Sequence, residues 1–174
     1  MSVRQGIVLV DTSVWLDNYI PERPGFASSR AFLKQARVAG LQLVYPVHIL
    51  KDVFFLLQAT YKQLARERGE LSSSDAIAIR ELAWACVENM RSLATAVGAD
   101  ESDAWTACRY RQLTGDLEDN FVIAAAQRAN VDYLVKNDVQ LIKNAPVVAL
   151  APEAALTLLE SRSKEIAHHF SFNA

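Results

Sequence analysis

The chain has 174 residues, of which 51% are hydrophobic and 22% charged, and its formal net charge is −2 at pH 7. This composition excludes a disordered chain and supplies enough apolar residues for one domain with a sizeable core. The small acidic excess excludes a globally basic nucleic-acid coat, and charged residues interrupt every apolar stretch before the ~18 residues that a membrane span needs.

Short apolar runs alternate along the chain with segments of helical periodicity. Strands are predicted at residues 7–10, 41–45, 93–97, 131–135 and 147–150. A helix starting at Thr12 and broken by Pro21 follows the first strand, and further helices are predicted at 26–39, 46–68, 76–92, 101–113, 119–130 and 152–162. In this interpretation Pro46 opens the longest helix and Gly40 and Gly69 end helices.

Strands that alternate with helices predict an α/β protein with a three-layer α/β/α arrangement. The central sheet would be parallel, with about five strands, and the helices between residues 46 and 92 would form a long helical hairpin. No linker is visible, so we predict a single domain over residues 1–162 and a C-terminal tail over 163–174.

The cellular setting is predicted from what the sequence lacks. Cys86 and Cys108 lie in helical patterns without a C-x-x-C pair, which predicts neither a disulfide framework nor a zinc site. The N-terminal segment shows no secretory signal, and we expect a cytoplasmic protein that makes no membrane contact.

Four aspartates come from distant parts of the chain to the same predicted edge of the sheet. Asp11 closes the first strand, Asp52 lies in the helix entered from the second strand, Asp119 opens the helix before the fourth strand, and Asp138 follows that strand. Carboxyl ends of parallel strands collect ligands, and clustered carboxylates suit Mg²⁺ or Mn²⁺. Each aspartate also has a structural interpretation, as a helix cap, a turn residue or a solvated charge.

Three acids lie within residues 115–119, and helix geometry separates their roles. Val122, Ile123 and Ala126 share a helical face with Asp119, which predicts that Asp119 points along the sheet edge toward the metal. Asp116 follows Gly115 and fits an N-cap. Glu118 is rotated by about 100° from Asp119, so we place it at the rim or near a second metal ion.

Three segments resemble the motifs of the PIN domain family, the metal-dependent ribonuclease fold of VapC-type toxins. Residues 8–15 (VLVDTSVW) look like its opening, 119–126 (DNFVIAAA) like its third motif and 132–138 (DYLVKND) like its fourth. The resemblance covers residues 7–150 in order and spacing. The chain departs from the family at Asp52, where Glu is usual, at Lys136-Asn137-Asp138, where Thr-Arg-Asp is common, and in its longer helical hairpin.

The resemblance implies hydrolysis of RNA phosphodiester bonds, by the toxin of a toxin–antitoxin pair or by an RNA-processing nuclease. Magnesium or manganese held by Asp11, Asp119 and Asp138 would activate a water molecule, and Asp52 would hold a second ion or orient that water. Thr12 and Ser13 are further candidates, for hydrogen bonds to a metal-bound water or a carboxylate; as helix-start residues, both also have a structural interpretation.

The chain must also hold an RNA backbone beside its carboxylates. The candidates for phosphate contact are the basic residues near the acidic motifs, Lys51, Lys136, Arg109 and Arg111, although each is favoured as a solvated side chain. Trp15, Trp84 and Trp105 lie at helical apolar positions and are predicted to be core residues rather than base-stacking platforms.

Two protein partners are predicted. The adjacent apolar residues 54–57 are too many for one helix face to bury, which predicts a homodimer, as the resemblance also implies. A small antitoxin protein is expected from the resemblance alone.

Two other function classes share features with this sequence. An aspartyl phosphatase also begins with an apolar strand ending in Asp, but it needs an acid where Ser13 stands, so it is disfavoured. A catalytically weak PIN-like interaction module, acting through dimerisation or antitoxin binding, remains the alternative, and binding of magnesium or manganese would discriminate the two.

Overall fold

The computed structural model of the chain describes residues 5–171, with side chains described for residues 5–162. Its strands are β1 Ile7–Val10, β2 Gln42–Pro46, β3 Thr95–Val97, β4 Tyr133–Val135 and β5 Ala149–Leu150. Its helices are α1 Thr12–Tyr19, α2 Phe26–Val38, α3 Ile49–Arg68, α4 Ser73–Leu93, α5 Glu101–Arg109, α6 Leu117–Arg128, α7 Val139–Asn144 and α8 Pro152–Ser171. A 3₁₀ turn, Tyr110–Gln112, follows α5.

The five strands form one parallel sheet in the order β3-β2-β1-β4-β5. The chain moves outward from β1 to β3 on one side and then crosses to β4 on the other. Strand order therefore reverses between β1 and β4, where Val10 lies opposite Val135. A crevice at such a reversal, outside the carboxyl ends of the strands, is where ligands bind in open α/β sheets.

Side-chain alternation along the strands builds a core on each face of the sheet. Val8 and Val10 face one core, which α1, α2, α3, α4 and α8 cover, whereas Leu9 faces a second core covered by α6 and α7. The apolar runs are therefore buried on both faces, as expected for parallel strands, and the three-layer α/β/α fold is confirmed. Trp15 and Phe32 are fully buried in the first core.

Several element boundaries differ from the sequence prediction. Pro46 ends β2, where it lies opposite Val97, and does not open a helix, because α3 begins only at Ile49. Helix α7 was not predicted, since six residues are too few to show periodicity. Helix α8 continues to Ser171, past the predicted end at Arg162; residues 172–174 of the predicted tail lie outside the described part of the chain.

Helices α3 and α4 form the predicted hairpin. Ser72 caps α4 in a reciprocal arrangement with Asp75, and the helix starts at Ser73, earlier than the predicted residue 76. Gly40 follows α2 with a φ of 69°, in the left-handed region that favours glycine. No helix within residues 5–171 is long and apolar enough to cross a membrane.

Two of the three tryptophans are not core residues. Trp15 is buried as predicted, but Trp84 is 51% and Trp105 60% exposed, because each lies on the outward side of its helix. The predicted core placement of Trp84 and Trp105 is therefore wrong.

Candidate active site

Asp11 lies directly after β1, at the strand-order reversal, and its side chain is buried. It is the N-cap of α1: its Oδ2 accepts hydrogen bonds from the backbone N–H of Ser13 at 3.1 Å and from Ser13 Oγ at 2.7 Å. Asp11 is 2% exposed. A buried carboxylate must be hydrogen-bonded or paired with a charge, and Ser13 supplies the first of these requirements. Ser13 therefore fixes the orientation of Asp11.

Lys136 directly follows β4, on the other side of the reversal, and supplies the second requirement. Its Nζ lies 2.5 Å from Asp119 Oδ1 and 3.4 Å from Asp11 Oδ2. Burial opposes the charged form, but Asp11 and Asp119 outweigh it and raise the pKa of Lys136, so the ammonium stays charged at neutral pH.

The preferred sequence interpretation of Lys136 as a solvated side chain is wrong. Only 7% of the residue is exposed, because it points into the acidic edge of the sheet. Its place between two carboxylates makes it a counter-ion of the site.

Helix α6 carries the acids that were assigned by helix geometry. Asp116 is its N-cap and accepts hydrogen bonds from the backbone N–H groups of Glu118 at 2.8 Å and Asp119 at 3.4 Å, as predicted. Val122, Ile123 and Ala126 are buried on the face that Asp119 shares. Burial raises the pKa of Asp119, and the hydrogen bond from Lys136 offsets part of that rise.

Glu118 and Thr12 lie together at the rim of this edge. Thr12 Oγ1 donates to Glu118 Oε1 at 3.3 Å. Partial burial raises the pKa of Glu118, and the negative charges of Asp52 and Asp11 raise it further. Glu118 therefore lies close enough to Asp52 and Asp11 for their charges to act on its carboxylate.

Asp52 lies in the first turn of α3 and is paired with its neighbour. Lys51 Nζ lies 2.6 Å from Asp52 Oδ1, with 69% of the lysine side chain exposed. His48, one turn earlier, packs edge-on against Phe121 with ring centroids 5.7 Å apart. Burial lowers the pKa of His48, which keeps its imidazole neutral at pH 7.

Asp138 is bound to a helix in the structure. Its Oδ1 accepts hydrogen bonds from the backbone N–H groups of Gln140 and Leu141, at 2.8 and 2.9 Å, so it caps α7. Within the residues whose side chains are described, no three or more His, Cys, Asp or Glu side chains are grouped so as to hold a metal ion. The predicted ligation of one ion by Asp11, Asp119, Asp138 and Asp52 therefore stays a prediction.

Sequence reasoning missed a polar network beneath the site. Asn137 Nδ2 donates to Asp17 Oδ2 at 2.6 Å, and Arg23 pairs with the same buried carboxylate. The backbone N–H of Asn137 reaches Ser13 Oγ at 3.4 Å, which links this network to Asp11. The sequence does carry a sign of this network. Asp17 follows the buried Val14 by three residues in α1, which places an acid on an apolar helix face.

The carboxylate oxygens at this edge are suitable ligands for a hard divalent cation, but they are paired with Lys136. Carboxylates of Asp11 and Asp119 are the ligand type that Mg²⁺ and Mn²⁺ prefer. Lys136 now neutralises both of them. The oxygen atoms are therefore of the type that fits such an ion, while their charge is met by the lysine.

The basic residues predicted to meet RNA lie outside this cluster, apart from Lys136. Arg109, at the end of α5, stacks on Trp105 with its guanidinium carbon 4.7 Å from the ring centroid. Arg111 is exposed in the following 3₁₀ turn. The exposed positive charges are therefore spread over three elements: Lys51 lies in α3, Arg109 in α5 and Arg111 in the turn after α5.

Comparison with known proteins adds a family and a fold. A sequence profile of the PIN domain matches residues 7–140. No curated protein sequence gives a significant match. Among solved structures, the chain is similar to a chain in the crystal structure of VapBC2 from Rickettsia felis bound to a DNA fragment from their promoter. The TM-score is 0.56 at 10% identity, covering 83% of this chain and 98% of that chain.

Proposed function

The chain belongs to the PIN domain family, and on that premise we propose that it is a metal-dependent ribonuclease that hydrolyses RNA phosphodiester bonds. PIN domains are generally nucleases. The observation that carries the proposal is the pair of carboxylates, Asp11 and Asp119, at the point where strand order reverses, with Glu118 and Asp52 electrostatically coupled to the same edge.

Each residue of the edge has a role in this proposal. Asp11 and Asp119 would hold Mg²⁺ or Mn²⁺, and Asp138 and Asp52 are the further ligand candidates. The bound ion supplies charge neutralisation at the phosphate and a water molecule of lowered pKa. Ser13 orients Asp11 through two hydrogen bonds, and Thr12 orients Glu118 at the rim.

RNA binding in this proposal uses exposed basic and aromatic side chains. Lys51 lies beside Asp52 and its ammonium is exposed, so it can reach a phosphate. The Trp105 ring is 60% exposed, and base–aromatic stacking suits single-stranded RNA. Arg109 stacks on that ring and adds positive charge there, and Arg111 is exposed in the following 3₁₀ turn.

The proposed setting is a toxin–antitoxin pair, with RNA processing as the second setting, in the cytoplasm. The fold similarity to a chain of the Rickettsia felis VapBC2 structure supports the first setting and a small antitoxin partner.

We also propose a homodimer formed through a hairpin patch, defined as Phe54, Phe55 and Trp84. The ring centroid of Phe54 lies 4.7 Å from that of Trp84 and 5.4 Å from that of Phe55. Phe55 is 63% exposed, and an exposed aromatic group of this kind is typical of an interface.

A cleavage assay tests the nuclease proposal. The purified protein should cleave single-stranded RNA in Mg²⁺ or Mn²⁺ and stop when EDTA is added. Asp11→Asn should retain the circular dichroism spectrum of the wild type but lose cleavage, because it removes a charged ligand while keeping the shape. Cleavage that continues in EDTA would contradict the metal-dependent mechanism, and full activity of Asp11→Asn would make Asp11 structural.

One observation favours the interaction module as a second candidate. Lys136 already neutralises Asp11 and Asp119, as expected of a site that has lost its metal. In that case Mn²⁺ titrated into the protein would give no heat of binding, and RNA would stay intact under every metal condition.

A further inference from the structure

The ammonium of Lys136 occupies the position that a cation would take between two carboxylates. It lies 2.5 Å from Asp119 Oδ1 and 3.4 Å from Asp11 Oδ2, and its side chain is 9% exposed. By contrast, the Lys51 ammonium lies 2.6 Å from Asp52 Oδ1 at the surface, with 69% of the lysine side chain exposed. Lys136 therefore satisfies charges that would otherwise bind a cation from solution.

We propose that Lys136 is an internal competitor for the metal: its ammonium closes the Asp11–Asp119 site, and a divalent ion binds only when this side chain swings away. The inference rests on the proposed metal-dependent function for its biological meaning. In this proposal Lys136 sets the metal concentration at which the site fills.

Electrostatics requires the exchange. A divalent ion bound to Asp11 and Asp119 would lie within a few ångströms of the ammonium, and like charges that close repel strongly in a buried site. The ion would also compete for an oxygen atom that the lysine already uses, because Lys136 bonds to Asp119 Oδ1. Pairing of the lysine therefore opposes binding of the ion.

The backbone allows the side chain to move without unfolding the edge. The N–H of Lys136 donates to Leu150 O at 3.0 Å, which holds its backbone in the sheet. The neighbouring Asn137 is held by Asp17 at 2.6 Å. Only the flexible lysine side chain has to rotate toward solvent, and the oxygen atoms of Asp11 stay oriented by Ser13.

Competition of this kind has a measurable size. When only a fraction of molecules has the binding-competent arrangement, the apparent Kd rises by the inverse of that fraction. If Lys136 closes the site in about nine of ten molecules, its removal should lower the apparent Kd for Mn²⁺ about tenfold.

Calorimetric titration of Mn²⁺ into the full chain tests this directly. Lys136→Met keeps most of the length of the side chain and removes its charge, so it should bind Mn²⁺ about tenfold more tightly than the wild type. Lys143→Met is the matched control, since it removes an exposed lysine of α7 and should bind as the wild type does. Equal or weaker binding by Lys136→Met, or no binding by any of the three proteins, would overturn the proposal.

A measurement on the wild-type protein guards against a misfolded variant. Reductive methylation followed by peptide mass spectrometry reports how accessible each lysine is. In EDTA, Lys136 should react slowly because it is buried, whereas Lys143 should react fast; saturating Mn²⁺ should speed the reaction of Lys136 and leave Lys143 unchanged. Protection of Lys136 that is the same with and without Mn²⁺ would refute the exchange.

These readouts separate the inference from the proposed function. The expected affinity and labelling pattern without RNA cleavage would remove the ribonuclease proposal and keep the lysine exchange. Metal-dependent cleavage with unchanged affinity in Lys136→Met would keep the ribonuclease and remove the exchange.

Discussion

The side-chain amide of Asn137 donates a 2.6 Å hydrogen bond to the buried carboxylate of Asp17, across 120 positions of sequence. Asp17 also pairs with Arg23, and Gly25 leaves the room that this carboxylate needs, since a Cβ there would lie 1.8 Å from Asp17 Oδ2. The loop after β4, which carries Lys136 and Asp138, is thereby attached to α1, which Asp11 caps.

Asp17→Ala should therefore lower the free energy of unfolding by about 2–3 kcal/mol, because it leaves Arg23 and Asn137 without their shared partner. Urea unfolding followed by circular dichroism measures this. Glu22→Ala is the control, since it breaks only an exposed pair with Arg68 at 3.6 Å and should change stability very little. An Asp17→Ala protein as stable as the control would show that the network does not hold the loop.

Amide substitution should distinguish the roles of Asp116 and Asp119 at the start of α6. Asp119→Asn should abolish RNA cleavage, because it removes a charge from the site, and it should lower the melting temperature, because the buried Lys136 loses its 2.5 Å partner. Asp116→Asn should change neither, because asparagine also caps helices well. Loss of cleavage in Asp116→Asn with normal activity in Asp119→Asn would contradict the assignment of Asp119 as the ligand.

Stability should depend on pH through Asp100, the N-cap of α5. Hydrogen bonds from Ser102, together with Arg128 at 2.5 Å, lower the pKa of Asp100 from 3.8 to about 2. A carboxyl whose pKa is lower in the folded state stabilises the protein above its unfolded value and loses that contribution as pH falls through the folded value.

The comparison with Asp100→Asn measures that contribution. The wild type should melt at a higher temperature than Asp100→Asn near neutral pH, and the difference should narrow as pH falls below 3.8 toward 2. Glu101→Gln, an exposed acid in the same turn, serves as the control and should show no such narrowing. A difference that is constant with pH would assign the effect to the cap geometry alone.

The hairpin patch should hold two copies together. Light scattering at micromolar concentration should give the mass of a dimer for the wild type and of a monomer for Phe55→Glu, which places a charge in the exposed aromatic group. Val38→Glu introduces the same charge at a 73% exposed position of α2, outside the patch, and should remain a dimer. A wild-type monomer would refute the homodimer.

Local sequence patterns determined a large part of this molecule. The apolar run before Asp11 predicted a buried strand with a charge at its end, since few structural roles suit an acid there. Helix geometry assigned the cap to Asp116 and placed Asp119 on the face of Val122 and Ile123, because residue spacing fixes direction within one helix. Alternation of strands and helices was enough for the three-layer fold.

Short or irregular segments escaped those patterns. Helix α7 has six residues, too few for periodicity, so the structural interpretation of Asp138 from sequence is a turn, whereas the structure makes it a helix cap. The sequence pattern predicts a helix start at Pro46, but the pairing of β2 with β3 keeps it in the sheet. In both cases neighbouring elements decided the local conformation.

The sequence alone placed Asp11 and Asp119 at the carboxyl edge of the sheet, because that follows from strand ends and helix starts. Only the tertiary structure decided how their charges are paired. Lys136 was expected in solvent, yet α6 brings Asp119 to within 2.5 Å of it and β1 brings Asp11 to 3.4 Å. A side chain at the end of a strand takes its direction from the charges that other elements place around it. The distances from Lys136 to Asp11 and Asp119 exist only once β1 and β4 have paired.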